Sequence, residues 1–137
     1  MIVVDASAVV DALLGRPQAL DGLLRALGDD PHQPLNAPDL IEIEALNALR
    51  RLARSGSVTE RRAGEAVADL ADLRLVRHPH APLRPRVWEL RARLSAYDAA
   101  YLALAEVLED PVVVTCDGGL AAVAAELLGR DRVVLAA

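Results

Sequence analysis

The sequence predicts an α/β fold, a three-layer α/β/α sandwich around a mainly parallel central sheet. Three short apolar runs rich in β-branched residues, at 2–4, 111–115 and 131–136, are typical of strands buried on both faces. Between these runs, leucine and alanine recur at helical spacing. Strands that alternate with helices favour a parallel sheet covered by helices on both sides.

The first half of the chain contains segments with clear start and stop signals. After the strand at 2–4, residues 7–15 predict a short helix with Ser7 as a candidate N-cap and Gly15 just past its end. Residues 17–28 and 38–56 predict two helices that begin with Pro and end with Gly, the usual asymmetry of helix ends. The run 35–37 between them predicts a short strand.

The second half continues the alternation. Thr59 begins a helix over 59–73, and residues 74–80 predict a brief strand that runs into a Pro-containing turn. Residues 84–94 and 95–109 predict two more helices, which lead into the strand at 111–115. A helix over 117–129 and the strand at 131–136 complete the chain. No repeat or linker interrupts it, and we expect a single domain over residues 1–137.

Composition and charge exclude several classes of protein. No apolar run reaches the roughly 20 residues that span a bilayer, and no basic segment precedes the first apolar run. Cys116 is the only cysteine, which excludes an internal disulfide and a cysteine-based metal site. We therefore expect a cytoplasmic protein with no membrane partner.

The cations are unevenly distributed. Residues 1–45, 46–94 and 95–137 carry net charges of −6, +6 and −5 (two Arg against eight acids, eleven against five, two against seven), and there is no lysine. Guanidinium groups suit bidentate contacts to phosphate and carboxylate. The middle of the chain is therefore a candidate anion-binding surface.

Acidic residues follow two of the predicted strands. Asp5 comes directly after the strand at 2–4, and Asp117 follows the strand at 111–115. In open parallel sheets, ligands bind outside the carboxyl ends of the strands. Each acid also has a structural interpretation: Asp5 or Ser7 could cap the first helix, Asp117 could cap the last, and Asp98 completes a capping box with the serine three residues before it.

Glu44 lies in the middle of a helix, on a side that it shares with apolar residues. An unpaired carboxylate there is costly, and the candidate partner Arg51 is two turns away, too far for a standard pair. Glu42 points about 200° away from Glu44 around the helix, so the two cannot serve one site. Helical geometry does not choose between them.

A converging set of Asp5, Glu44, Asp98 and Asp117 would need a counter-charge. Two carboxylates 4 Å apart repel by about 4 kcal/mol at an effective dielectric near 20. Oxygen ligands without cysteine or histidine select a hard cation, Mg²⁺ or alternatively Mn²⁺. Ser7 and Thr115 could orient these carboxylates or bind metal-coordinated water, or could simply form caps and turns.

Four stretches together resemble a known family. They are VVDASAVVDALL, APDLIEIEALNALRR, AYDAAYLALAE and VVVTCDGGLA, in this order and spacing. They are similar to the PIN-domain ribonucleases and, more narrowly, to the VapC toxins of bacterial VapBC toxin–antitoxin systems. The resemblance covers nearly the whole chain. It implies that Asp5, Glu44, Asp98 and Asp117 form the catalytic, metal-binding set, and it selects Glu44 over Glu42. CDGGL departs from the relatives, which often carry polar or basic residues after the Asp, so Asp117 is the weakest match.

The resemblance also implies an activity and partners. We expect a Mg²⁺-dependent endoribonuclease that cuts structured RNA, such as tRNA or rRNA, forms a homodimer and is neutralised by a VapB-like antitoxin. Among the cations, Arg77, Arg84 and Arg86 are the candidate RNA-binding residues. Aromatic residues are scarce, so base stacking is not expected to dominate.

Three other classes of protein are alternatives to a PIN-domain ribonuclease. Receiver domains and haloacid-dehalogenase phosphatases share the α/β pattern but use a lysine, and this chain has none. The remaining alternative is a catalytically silent PIN-like module that binds RNA or antitoxin. Loss of metal-dependent RNA cleavage in Asp5→Asn would separate an enzyme from such a module.

Overall fold

A central parallel sheet organises the protein, whose computed structural model describes residues 1–137. The five strands lie in the order β3-β2-β1-β4-β5, and every neighbouring pair is parallel. This arrangement confirms the predicted α/β/α sandwich. The strands are β1 (Ile2–Val4), β2 (Leu35–Pro38), β3 (Leu75–His78), β4 (Val112–Thr115) and β5 (Val133–Leu135).

Seven α-helices flank the sheet, some in contact with its strands and others packed on neighbouring helices. Most begin and end within a few residues of the predicted bounds, because their caps and Pro or Gly signals are local. Thr59 and Ser95 each accept an N–H of the following turn, as expected of N-caps. The helices are α1 (Ala6–Leu13), α2 (Pro17–Leu27), α3 (Ile41–Arg54), α4 (Glu60–Asp72), α5 (Arg84–Glu89), α6 (Ala96–Val107) and α7 (Gly118–Leu128), with 3₁₀ turns at Ala81–Leu83 and Arg130–Arg132.

The core lies along β1, β4 and α6. Val3, Val4, Val113 and Val114 are fully buried, as expected for inner strands of a sheet covered on both faces. Residues 99–105 of α6 are all buried, so this helix is largely surrounded by the rest of the protein. None of the helices combines the length and apolarity needed to cross a membrane.

Two predicted helices differ from the observed ones. The helix predicted from Pro38 begins at Ile41, and Pro38 is instead the last residue of β2. Pairing between β1 and β2 ends at Asn36, so the missing N–H of proline breaks no bond on that side. The helix predicted over 84–94 ends at Glu89, and the chain turns so that both Leu90 and Leu94 are buried.

Candidate active site

The sheet topology creates a natural site between β1 and β4. From β1 the chain adds β2 and β3 on one side of the sheet, and later β4 and β5 on the other. Ligands bind at such switch points, outside the carboxyl ends of the strands. Asp5 follows β1 directly and Asp117 lies two residues beyond β4, while Glu44 and Asp98 are supplied by α3 and α6.

Asp5 is only 4% exposed, and its carboxylate accepts three hydrogen bonds from the protein. Its Oδ1 accepts the Ser7 hydroxyl at 2.7 Å and the Ala8 N–H at 3.0 Å, and its Oδ2 accepts the Thr115 hydroxyl at 2.6 Å. Burial raises the pKa of Asp5, and these hydrogen bonds oppose the rise because they favour the charged form. Asp5, not Ser7, therefore caps α1 and has a fixed orientation.

Ser7 and Thr115 connect Asp5 to the end of β4. The Thr115 Oγ1 accepts the Asp117 N–H at 2.9 Å, and the Ser7 Oγ accepts the Cys116 N–H at 3.0 Å. Thr115 is completely buried. The two hydroxyls thus fix the loop after β4 relative to the loop after β1.

Asp117 caps α7 while remaining part of this region. Its Oδ1 accepts the N–H groups of Gly119 at 2.8 Å and Leu120 at 3.1 Å. Its charge also raises the pKa values of Asp5 and Asp98. The capping role proposed from the sequence is therefore compatible with a place among the acids.

Glu44 is oriented by a tyrosine. Its Oε1 accepts the hydroxyl of Tyr101 at 2.6 Å. Burial raises the pKa of Glu44, the Tyr101 hydrogen bond opposes this rise, and the charge of Asp5 adds to it. Glu42 forms an ion pair with Arg77 instead. Of the two glutamates, only Glu44 is thus coupled to the other acids.

Asp98 is affected by the charges of all three other acids. Burial and then the charges of Asp117, Asp5 and Glu44 raise the pKa of Asp98 to about 6. Its backbone N–H donates to the Ser95 Oγ at 3.2 Å, so the predicted serine cap is present. Asp98 is therefore within electrostatic range of each of the other three acids.

The chemistry of these donors fits a hard divalent cation. All are carboxylate oxygens, and repulsion among them would be relieved by added positive charge. No three acidic, histidine or cysteine side chains stand close enough together to be direct ligands of one ion. Mg²⁺ commonly keeps several waters and takes only one or two carboxylates, so a Mg²⁺ ion would need water as most of its ligands here.

The predicted RNA-binding arginines have different surroundings. Arg77 is paired with Glu42, and Arg86 bridges Glu106 and Glu89. Arg84 instead lines an apolar pocket of about 260 Å³ beside α5 and α6. Of the three, Arg84 is therefore the one not held by an acidic side chain.

No sequence motif marks Tyr101 as a functional residue. It lies three residues after Asp98, so both side chains are on the same face of α6. This three-residue spacing is the one feature of the sequence that places Tyr101 near a candidate acid. The contact with Glu44 joins residues 57 positions apart, and no local pattern reveals it.

Known proteins share this fold and these elements. Residues 2–126 match the PIN-domain family. Ribonuclease VapC9 of Mycobacterium tuberculosis is 45% identical over 116 residues, covering 82% of this chain and 84% of that protein. Ribonuclease VapC1 of the same organism is 42% identical over 124 residues, 88% of each chain. The crystal structure of PAE2754 from Pyrobaculum aerophilum superimposes with a TM-score of 0.57 at 28% identity, over 88% of this chain and 82% of that one. The chain therefore belongs to the PIN-domain family and, within it, to the VapC group.

Proposed function

We propose that this PIN-domain protein is a Mg²⁺-dependent endoribonuclease that cleaves phosphodiester bonds of structured RNA, such as tRNA or rRNA. Mn²⁺ is an alternative metal. We further propose that it acts as the toxin of a type II toxin–antitoxin pair. Its VapC relatives are named ribonucleases. The observation that carries the proposal is that the Thr115 hydroxyl bridges Asp5 and Asp117 at the switch point of the sheet. Glu44 and Asp98 are close enough to these acids that like charge raises the pKa of both.

The chain's own residues provide a cluster of acids at the carboxyl ends of β1 and β4. Asp5 is fixed by Ser7 and Thr115. Together with Glu44, Asp98 and Asp117 it would hold the cation, with at most two of the four as direct ligands and the others acting through metal-bound water. A bound Mg²⁺ supplies charge stabilisation to the phosphoryl group and activates water for hydrolysis. Burial and the charges of the other acids raise the pKa of Asp98 to about 6 in the metal-free protein, and a bound cation would lower it again. The main role of these residues in the proposal is thus to hold negative carboxylates in place for the cation.

Two partners are part of the proposal. The segments 1–45 and 95–137 carry net charges of −6 and −5, which complement a basic segment of a VapB-like antitoxin. Ile43 and Leu46 on α3 and Val67 on α4 are exposed apolar side chains, which supports a homodimer that covers them. Light scattering of the purified protein measures whether the dimer forms.

Cleavage of a fluorophore-labelled RNA, measured with Mg²⁺ and with excess chelator, tests the activity. We expect cleavage only with metal, and a loss of about a hundredfold in Asp98→Asn, because one carboxylate of the acidic cluster is neutralised. Asp69→Asn, an exposed acid on α4, is the matched control and should retain full activity. Cleavage that survives in chelator or in Asp98→Asn would contradict the metal mechanism and point to contamination or different chemistry.

The RNA surface is tested separately. Arg84→Ala should weaken binding of an uncleaved RNA and reduce by about one the slope of log affinity against log salt, as expected for one lost phosphate contact. Arg61 on α4 is highly exposed, and Arg61→Ala is the matched control. Equal salt slopes for wild type and Arg84→Ala would exclude Arg84 from the phosphate contacts.

A further inference from the structure

Tyr101 is a fully buried residue whose polar atom is directed at the acids. Its side chain is 1% exposed, yet its hydroxyl donates to the Glu44 Oε1 at 2.6 Å. A phenylalanine would fill the same space without a polar group to satisfy. The hydroxyl therefore has a role that packing alone does not explain.

This hydrogen bond is the only one that the protein donates to the Glu44 carboxylate. The Oε2 atom is left without a protein donor. Hydrogen bonds to charged acceptors are short and strong, so the phenol restricts the carboxylate to one orientation. Burial and the Glu44 charge raise the pKa of Tyr101 above its usual value, so the phenol keeps the proton that it donates.

The phenol also connects three segments that carry acids. Tyr101 shares α6 with Asp98, contacts Glu44 on α3, and lies close enough to the Ala6 N–H for that group to affect its pKa. Ala6 is the residue after Asp5. A change at this hydroxyl should therefore alter the geometry of the acids relative to one another.

We infer that Tyr101 is a positioning residue, which holds Glu44 against the other acids and leaves its second oxygen available to a divalent cation or its water. The inference rests on the proposed function, because it assigns Tyr101 to the same site. The direct effect of losing the Tyr101 hydroxyl should be weaker metal binding, and slower cleavage should follow from that. Partners that orient a ligand commonly change metal affinity by 10- to 100-fold.

The central experiment compares Tyr101→Phe with wild type by calorimetric titration of Mn²⁺ and Mg²⁺. We expect metal affinity to fall about tenfold, and the Mg²⁺ concentration that gives half-maximal RNA cleavage to rise by a similar factor. Excess Mg²⁺ should recover most of the cleavage rate. Tyr97→Phe is the matched control on the same helix, since Tyr97 is 63% exposed, and it should behave as wild type.

A double substitution tests whether the Tyr101 hydroxyl affects metal binding through Glu44 or through the packing of the ring. If Tyr101 acts through Glu44, adding Tyr101→Phe to Glu44→Gln should cause no further loss of metal affinity. An additional tenfold loss would show that Tyr101 acts by another route. Wild-type metal affinity in Tyr101→Phe would overturn the inference and leave the proposed function intact, whereas absence of metal binding by wild type would overturn the proposed function itself.

A spectroscopic measurement does not depend on the folding of Tyr101→Phe. The chain has two tyrosines, so Tyr97→Phe leaves Tyr101 as the only one. Mg²⁺ should then produce a tyrosine difference band in the ultraviolet spectrum, because the hydrogen-bonded carboxylate changes its charge environment. The band should be absent when Glu44→Gln is added. A spectrum of Tyr97→Phe that does not respond to saturating Mg²⁺ would also overturn the inference.

Discussion

Neutralising Asp98 should stabilise the metal-free protein at neutral pH. The pKa of Asp98 is raised from 3.8 to about 6, mainly by burial and then by the charges of the other acids. Because the folded state binds the proton more tightly than the unfolded chain, stability falls as the pH rises from about 4 to 6 and the penalty is complete above that range. Asp98→Asn removes the charge and therefore the penalty.

The magnitude follows from the shift of about two pKa units, which corresponds to a ceiling of about 3 kcal/mol. Asp98 is only partly buried, and solvent screening lowers this figure. An acid in the first helical turn also gains about 0.3–1 kcal/mol from the helix dipole, which the variant loses. Repulsion and burial still exceed that gain, so we expect a net stabilisation of about 1 kcal/mol and a rise in Tm of about 3 °C.

The assay is thermal unfolding of wild type and Asp98→Asn in excess chelator at pH 4 and pH 7.5. The variant should be more stable at pH 7.5 and lose this advantage at pH 4, where wild-type Asp98 is protonated. Asp69→Asn, the exposed control, should show no such pH dependence. Equal pH profiles for wild type and Asp98→Asn, or a variant less stable at pH 7.5, would refute the electrostatic coupling of the four acids. Adding Mg²⁺ should then stabilise wild type and not the variant.

Five further substitutions, at four positions, test the structure that supports the acids and the fold. Thr115→Val should destabilise the protein by about 2 kcal/mol in denaturant melts, because it removes a donor from the buried Asp5 carboxylate. The loss should be larger at pH 8 than at pH 4, and a pH-independent loss would contradict this reasoning. Asp117→Asn keeps the Oδ1 acceptor for the α7 cap and should retain stability, whereas Asp117→Ala should lose about 1 kcal/mol; equal losses would exclude the cap. Gly22→Ala would place a methyl 2.6 Å from another side-chain carbon and should cost about 1–3 kcal/mol. Gly64→Ala, with nothing within 4 Å, should instead stabilise by up to about 1 kcal/mol, as melts of both variants will show.

Local signals in the sequence predicted most of the fold. The β-branched runs lie close to the bounds of the observed strands, and the parallel sheet follows from their alternation with helices. Thr59 and Ser95 occupy N-cap positions because a hydroxyl side chain can accept an N–H of the next turn. Such features depend only on neighbouring residues, which is why a single sequence reveals them.

Contacts between distant segments could not be predicted in the same way. The His80 Nε2 accepts the Leu40 N–H at 2.9 Å and so satisfies the start of α3 from 40 residues away. The Tyr101 hydrogen bond to Glu44 has the same character. The periodicity of apolar residues predicts which face of a helix is buried. It does not predict which side chain from a distant segment packs against that face. Membership of the acidic set was therefore supplied by the resemblance to a family, whereas its electrostatics required the structure.

The capping roles of Asp5 and Asp117 and their position at one edge of the sheet have a common physical origin. In a parallel sheet, the helices that follow strands begin at the same edge, so the N–H groups of α1 and α7 collect beside β1 and β4. Asp5 and Asp117 each accept such N–H groups, which offsets part of their mutual repulsion. Glu44 receives the Tyr101 hydroxyl, while only burial and like charges act on the Asp98 carboxylate. Asp98 is therefore the least compensated of the four acids, and the one whose charge a divalent cation would stabilise most.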